Sequence, residues 1–190
     1  IDMYVTNDRV WFFMPTASPF TCLVCFCVLK GIHPLFSAIQ NSMLRTVSLL
    51  LDKGLTMASI QPCTFFVPLM KEQVLISPFS LACSTGNLSL VELLFPSFAV
   101  SLFSDTADEE MVKPLHMAIL SKNLSLVHFL LDSFAATVHE GDRLLRLICD
   151  EDKWKGRNCF HYASEAEFRP TFLLLLSYVQ PLLTGNNALP

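Results

Sequence analysis

The sequence predicts an all-α solenoid of stacked helix-turn-helix repeats joined by irregular loops. Three observations predict it. Two stretches repeat in register: residues 86–94 read GNLSLVELL and residues 122–130 read KNLSLVHFL. An anchor stands eight residues before each of them, at Pro78 and Pro114, and the same frame fits Pro34 and, with cysteine in place of proline, Cys159. An alanine follows four residues after every anchor, at Ala38, Ala82, Ala118 and Ala163. A small residue recurring at one offset marks a close helix–helix contact, where a methyl group fits and little else does.

Each unit reads as two helices. Proline suits the first turn of the first helix, where its missing N–H has no partner to lose. Ser77 and Asn158 stand at the N-cap of first helices, and Asn87 and Asn123 at the N-cap of second helices. Thirteen residues past the anchors stand Val47, Val91, Val127 and Phe172. At sixteen and seventeen come Leu50 and Leu51, Leu94 and Phe95, Leu130 and Leu131, Leu175 and Leu176. Apolar residues three and four apart share one helical face. Gly54 stops a second helix. The expected pairs lie near 34–52, 78–96, 114–133 and 159–180.

The motifs SPFSLACSTGNLSLVELL and KPLHMAILSKNLSLVHFLLD resemble ankyrin repeats, whose unit of about 33 residues opens T-P-L-H-x-A. The resemblance covers residues 29–187 and is most specific in the two middle units. His116 and His161 match the family's turn-stabilising histidine, which Phe36 and Ser80 replace in the other units. The anchors are 44, 36 and 45 residues apart, longer than the family's unit. The extra residues fall between units, where the family carries finger hairpins. The insert around 139–152 has leucines at helical spacing and predicts a short helix; the apolar insert around 61–76 holds two prolines and receives no assignment. Residues 188–190 read as the opening of a further repeat, because Gly185 precedes Ala188 as Gly156 precedes Cys159. Solenoid ends need polar caps, and FLLLLSYVQPLL offers none.

The family grips partner proteins with its finger tips and the inner ends of its first helices. By position, the resemblance implies Gln73, Glu109, Glu110, Trp154, Lys155 and Arg157 on fingers. On first helices it implies Gln40, Asn41, Ser84, Thr85, Leu120, Ser121 and Glu165. Trp154 beside Lys155 and Arg157 is the expected anchor, since Trp and Arg dominate interface hot spots.

Composition sets the remaining bounds. A net charge of −4 gives no basic surface for a phosphate backbone, so no nucleic-acid partner is expected. Hydrophobic residues make up 52% and charged residues 16%, against a usual charged share of about 25%. Residues 10–29 carry no charge and are where a membrane could be met, although Pro15 and Pro19 interrupt the run. For residues 1–28 three readings stay open: an irregular cap, a membrane segment, or sequence that is not genuinely coding. Seven scattered cysteines do not form a disulfide framework, which favours an intracellular, cytoplasmic setting. Cys22, Cys25 and Cys27 lack the second ligand pair of a structural zinc site. The sequons at Asn87 and Asn123 are better read as helix caps.

No phosphate-cradling loop, nucleophile elbow or metalloprotease motif occurs, so neither catalysis nor a cofactor or metal is expected. The expected function is a protein-interaction scaffold. The alternatives are a recognition module of a larger membrane protein, such as a channel or acyltransferase, and a regulatory array attached to an enzyme domain.

Overall fold

A computed structural model describes residues 3–6, 9–12, 33–53, 60, 62–99, 112–137 and 141–183, and these are mainly helical. Four helix pairs follow one another: α1 (Pro34–Gln40) with α2 (Leu44–Asp52), α3 (Pro78–Ser84) with α4 (Leu88–Ala99), α5 (Pro114–Leu120) with α6 (Leu124–Thr137), and α8 (Cys159–Glu165) with α9 (Arg169–Leu183). Between the last two pairs lies α7 (Gly141–Cys149), close to the short helix that the leucine spacing predicts.

Local chemistry explains where these helices begin. Ser77 accepts the Ser80 N–H at 3.1 Å. Asn158 accepts the N–H groups of Phe160 and His161 at 3.1 and 3.2 Å, while His161 Nδ1 accepts the Asn158 N–H at 3.2 Å. That reciprocal pair satisfies donors that a helix start otherwise leaves unpaired. Asn87 and Asn123 accept the N–H groups of Leu90 and Leu126, both at 3.2 Å. The Asn123 amide also donates to Gly86 O at 2.8 Å, tying one turn to the turn before it. The nitrogen a glycan would need is therefore already engaged.

The turns inside the four pairs share one conformation. Ser42, Gly86, Lys122 and Glu167 stand at φ 51°, 69°, 58° and 52°. All four lie eight residues after their anchors. Only one is glycine, so the other three hold a left-handed backbone that L side chains disfavour.

The pairs stack in chain order. First helices touch as α1–α3–α5–α8, and second helices as α2–α4–α6–α9. Ala38, Ala82, Ala118 and Ala163 are buried, as close helix contact requires. Phe95 meets Phe79, Phe129 and Phe134 with ring centroids at 6.2, 5.5 and 6.3 Å, knitting the second pair to the third. Leu90, Val91, Leu94, Leu126, Val127 and Leu130 are fully buried, each contributing about 1.5–3 kcal/mol.

One expectation needs correction. In the last unit the row thirteen and seventeen residues past the anchor is not inside: Phe172 and Leu176 are exposed, while Thr171, Leu175, Tyr178 and Val179 are buried. In the middle units Val91, Val127 and Leu131 of these rows are buried and Phe95 is half-buried. On α9 the Phe172 ring meets Phe160 of its own pair, centroids 5.3 Å apart, while Leu173 and Leu176 face outward.

The fold is mostly helical and also carries two short hairpins. The unassigned insert forms an antiparallel hairpin of β3 (Cys63–Val67) and β4 (Glu72–Ile76), registered from Cys63 opposite Ile76 to Val67 opposite Glu72. Phe65, Val67, Val74 and Ile76 point to the core, and the Phe65 ring lies 5.8 Å from that of Phe36. Period-two burial on both strands is what makes this segment a half-buried hairpin. A second hairpin, β1 (Met3–Thr6) with β2 (Arg9–Phe12), pairs Met3 with Phe12 and Thr6 with Arg9. Of residues 1–28, for which three readings stay open, these eight positions are strand. Residues 13–32, with Cys22, Cys25 and Cys27, lie outside the described residues, as do Gly54 and residues 188–190. No described helix is long and apolar enough to cross a membrane.

Candidate interaction surface

The first-helix positions fall into two groups. Gln40 and Asn41 are exposed at the end of α1, where the Asn41 amide donates to Ser37 O at 2.8 Å. Ser84 is buried and spends its hydroxyl on Leu81 O at 2.7 Å, so it faces no partner. Thr85 and Ser121 are half-buried and donate to Ala82 O and Ala118 O, both at 2.7 Å. Leu120 is half-buried against the core. The cause is geometric. A seven-residue helix flanked by two first helices and its own partner has little free face, and every residue of α3 is buried.

The finger before α8 is the most built part of the surface. Its centre is Asp152, only 5% exposed. One carboxylate oxygen accepts the backbone N–H groups of Trp154 and Lys155 at 2.7 and 2.6 Å, and the other accepts the Tyr162 hydroxyl at 2.6 Å. The Asp152 N–H donates to Arg157 O at 2.9 Å, closing the loop across Gly156 at φ 62°. Burial raises the Asp152 carboxyl, but the Tyr162 hydroxyl and the two N–H donors outweigh it and hold the group below its usual range. The same arrangement, with burial first, pushes the Tyr162 hydroxyl far up.

Around this centre three of the predicted finger residues, Trp154, Lys155 and Arg157, come together. Trp154 is half-buried against the core cluster that includes Leu144, and the exposed Lys155 sets its ammonium 3.7 Å from the centre of the indole ring. Arg157 is paired with Glu165, which joins the finger to the end of α8. Lys113 and Asp150 form a further bridge at 3.7 Å. Gln73 is exposed on β4, opposite an exposed Phe66. Glu109 and Glu110 lie outside the described residues.

Sequence reasoning missed two features. Phe66 and Leu69, 49% and 46% exposed, make an apolar tip on the β3–β4 hairpin. The alternation of Phe65 and Val67 with Phe66 was the available signal. His116 is fully buried and stacks on Tyr162, ring centroids 4.7 Å apart, with both ring nitrogens unpartnered among the described residues. Burial lowers it to about 4, Lys113 adds to this, and Asp152 opposes it. Unlike His161, it stabilises no turn by hydrogen bonding, because Lys113 stands at its helix N-cap and offers no side-chain cap.

Chemistry of other kinds finds less footing here. Burial pushes the Cys159 thiol far up and raises those of Cys63 and Cys149. Among the described residues no group of three His, Cys, Asp or Glu could hold a metal ion. No family model matches the sequence, and no curated protein is similar to it. The repeat therefore rests on the chain's own regularities.

Proposed function

We propose that the chain is an array of four divergent ankyrin-type repeats that serves as a protein-interaction scaffold. The observation that carries this reading is the left-handed turn residue eight positions after each anchor. Serine, glycine, lysine and glutamate all adopt it, so one packing arrangement imposes the turn four times against three unfavourable residues. The buried alanines, the stacking in chain order and the hairpin ahead of the second unit support the same reading. A repeat array of this kind offers fingers and turn residues to a partner, and the Trp154 finger is the best-ordered candidate for contact. Fold alone does not give function; that finger and the exposed tip at Phe66 and Leu69 are the surfaces offered to a partner.

The test is site-specific photo-crosslinking with the full chain in cells that express it. A photoreactive residue is placed at the exposed Lys153 of the same finger, at Gln73 or at Ser121, and for comparison at Leu49 or Glu92 on second helices. The expected outcome is one partner captured from the finger and turn positions and not from the second helices. Capture from the second helices alone, or from none of these positions, overturns the reading.

A further inference from the structure

We infer that the Trp154–Lys155 pair is a preformed receptor for an acidic segment of a partner protein, in which a carboxylate meets the Lys155 ammonium and a neighbouring apolar side chain covers the indole edge. This rests on the scaffold reading and names the partner chemistry of one finger.

The charge accounting of the finger points to this occupant. Arg157 is closed by Glu165, and Lys113 by Asp150. The Asp152 carboxylate is consumed by a hydroxyl and two backbone N–H groups. Glu151 turns towards Gly156, where an added Cβ would stand 3.7 Å from its carboxylate oxygen. Lys155, by contrast, forms no ion pair among the described residues, and its ammonium rests on an aromatic face. An ammonium has three donors, and the ring face satisfies the charge without using them as hydrogen bonds. A carboxylate can therefore add to the pair without displacing anything.

A cationic partner is the poorer fit. It would have to evict Lys155 from the ring, and a tether of one residue gives the resident ammonium a high effective concentration there. It would also approach a tip that already carries a positive charge.

The finger is ordered before any partner arrives. The N–H groups of both anchor residues point into the Asp152 carboxylate, Tyr162 holds that carboxylate from α8, and His116 stacks on Tyr162 from α5. Ordering cost on binding is correspondingly reduced. Asp152 is therefore a positioning residue for this contact.

The experiment titrates the nitrogen-15-labelled full chain with two synthetic hexapeptides, one of glutamate and leucine and one of lysine and leucine. The readouts are the indole N–H of Trp154, assigned with Trp154→Phe, and the backbone N–H of Lys155. The glutamate peptide should shift both signals saturably, and the lysine peptide should not. Raised salt should weaken the effect, and Lys155→Gln should weaken it by about fivefold or more at an unchanged melting temperature. Asp152→Asn should expose the Lys155 N–H to exchange and weaken the same binding although both anchors remain. Where Asp152→Asn fails to fold, Lys155→Gln alone decides. No shift with the glutamate peptide, an equal shift with the lysine peptide, or a shift that survives Lys155→Gln overturns the inference. Crosslinking to one partner from Gln73 or Ser121, with Lys153 silent, overturns it while leaving the scaffold reading standing.

Discussion

At the scale of single residues, His116 sets how the fold responds to acid. It is buried, unpaired among the described residues and lowered from 6.5 to about 4, chiefly by burial. The unfolded chain therefore takes up a proton below pH 6.5 that the folded chain refuses until about pH 4. Stability is intact above that window and falls as the pH drops through it, by about 1.4 kcal/mol per unit and about 3 kcal/mol in all. Asp152 adds a second loss lower down, because its folded value is depressed and its stabilisation disappears only once the carboxyl is protonated. His116→Leu should flatten the limb between pH 6.5 and 4 in urea titrations while leaving the lower limb in place; an unchanged limb would show that His116 finds a proton acceptor in the fold. Thr171 makes the simpler case. Its buried hydroxyl has no partner among the described residues, and an unsatisfied buried hydroxyl costs about 1–3 kcal/mol. Thr171→Val keeps the shape and should raise stability by about 1 kcal/mol, visible as a higher melting temperature; a lower one would mean that the hydroxyl is satisfied.

At the scale of elements, the turns decide how closely the pairs approach. Gly86 combines φ 69° with a neighbour: a Cβ there would lie 3.4 Å from Ser121 Cβ in the next turn. Gly86→Ala should cost about 1–2 kcal/mol, whereas Lys122→Gly, at φ 58°, should relieve strain and stabilise by about 0.5–1 kcal/mol. Equal effects of the two changes in thermal melts would argue against a shared left-handed turn. The same comparison explains how legible this fold was. Helix starts were readable because Ser77, Asn87, Asn123 and Asn158 use short polar side chains within their own turn. The repeated left-handed position was readable only at Gly86, since Ser42, Lys122 and Glu167 take it under tertiary packing that no local preference announces. The hairpin from Cys63 to Ile76 escaped because Phe65 and Phe66 are adjacent and equally apolar, although one is buried and the other exposed. At the candidate site, Trp154, Lys155 and Arg157 were found by residue type. Asp152, which organises them, was hidden because a buried carboxylate looks like any other acid in a charged run. Ser84 was misread for the opposite reason, a polar side chain whose hydrogen bond is local.

At the scale of the whole molecule, burial is uneven between the two sides of the stack. The middle pairs have neighbours before and after them, and on their second helices Val91, Val127 and Leu131 are buried and Phe95 is half-buried. On α9 only one row is covered, and Phe172, Leu173, Leu176 and Leu183 remain 36, 54, 41 and 69% exposed. Residues 172, 173, 176 and 183 share one helical face, so the exposure is a continuous stripe and not scattered side chains. Contiguous apolar surface of this kind drives association of copies in solution. Tyr178 anchors the opposite side of the helix through its hydroxyl bond to Asp132 of α6, and the Tyr178 ring also meets His128 edge-on. The stripe can therefore be altered without loosening the helix from its partner. The chain should self-associate with rising concentration in sedimentation-velocity experiments, and the double change Leu173→Gln with Leu176→Gln should shift it towards monomer. Because both leucines already face solvent, the melting temperature of the dilute protein should hardly move. Should the double variant associate as strongly as the parent, the sticky surface lies elsewhere, and the exposed tip at Phe66 and Leu69 becomes the next position to change. Should it melt much lower, α9 is packed by something the exposed stripe does not reveal, and the single covered row is the wrong description of this end of the stack.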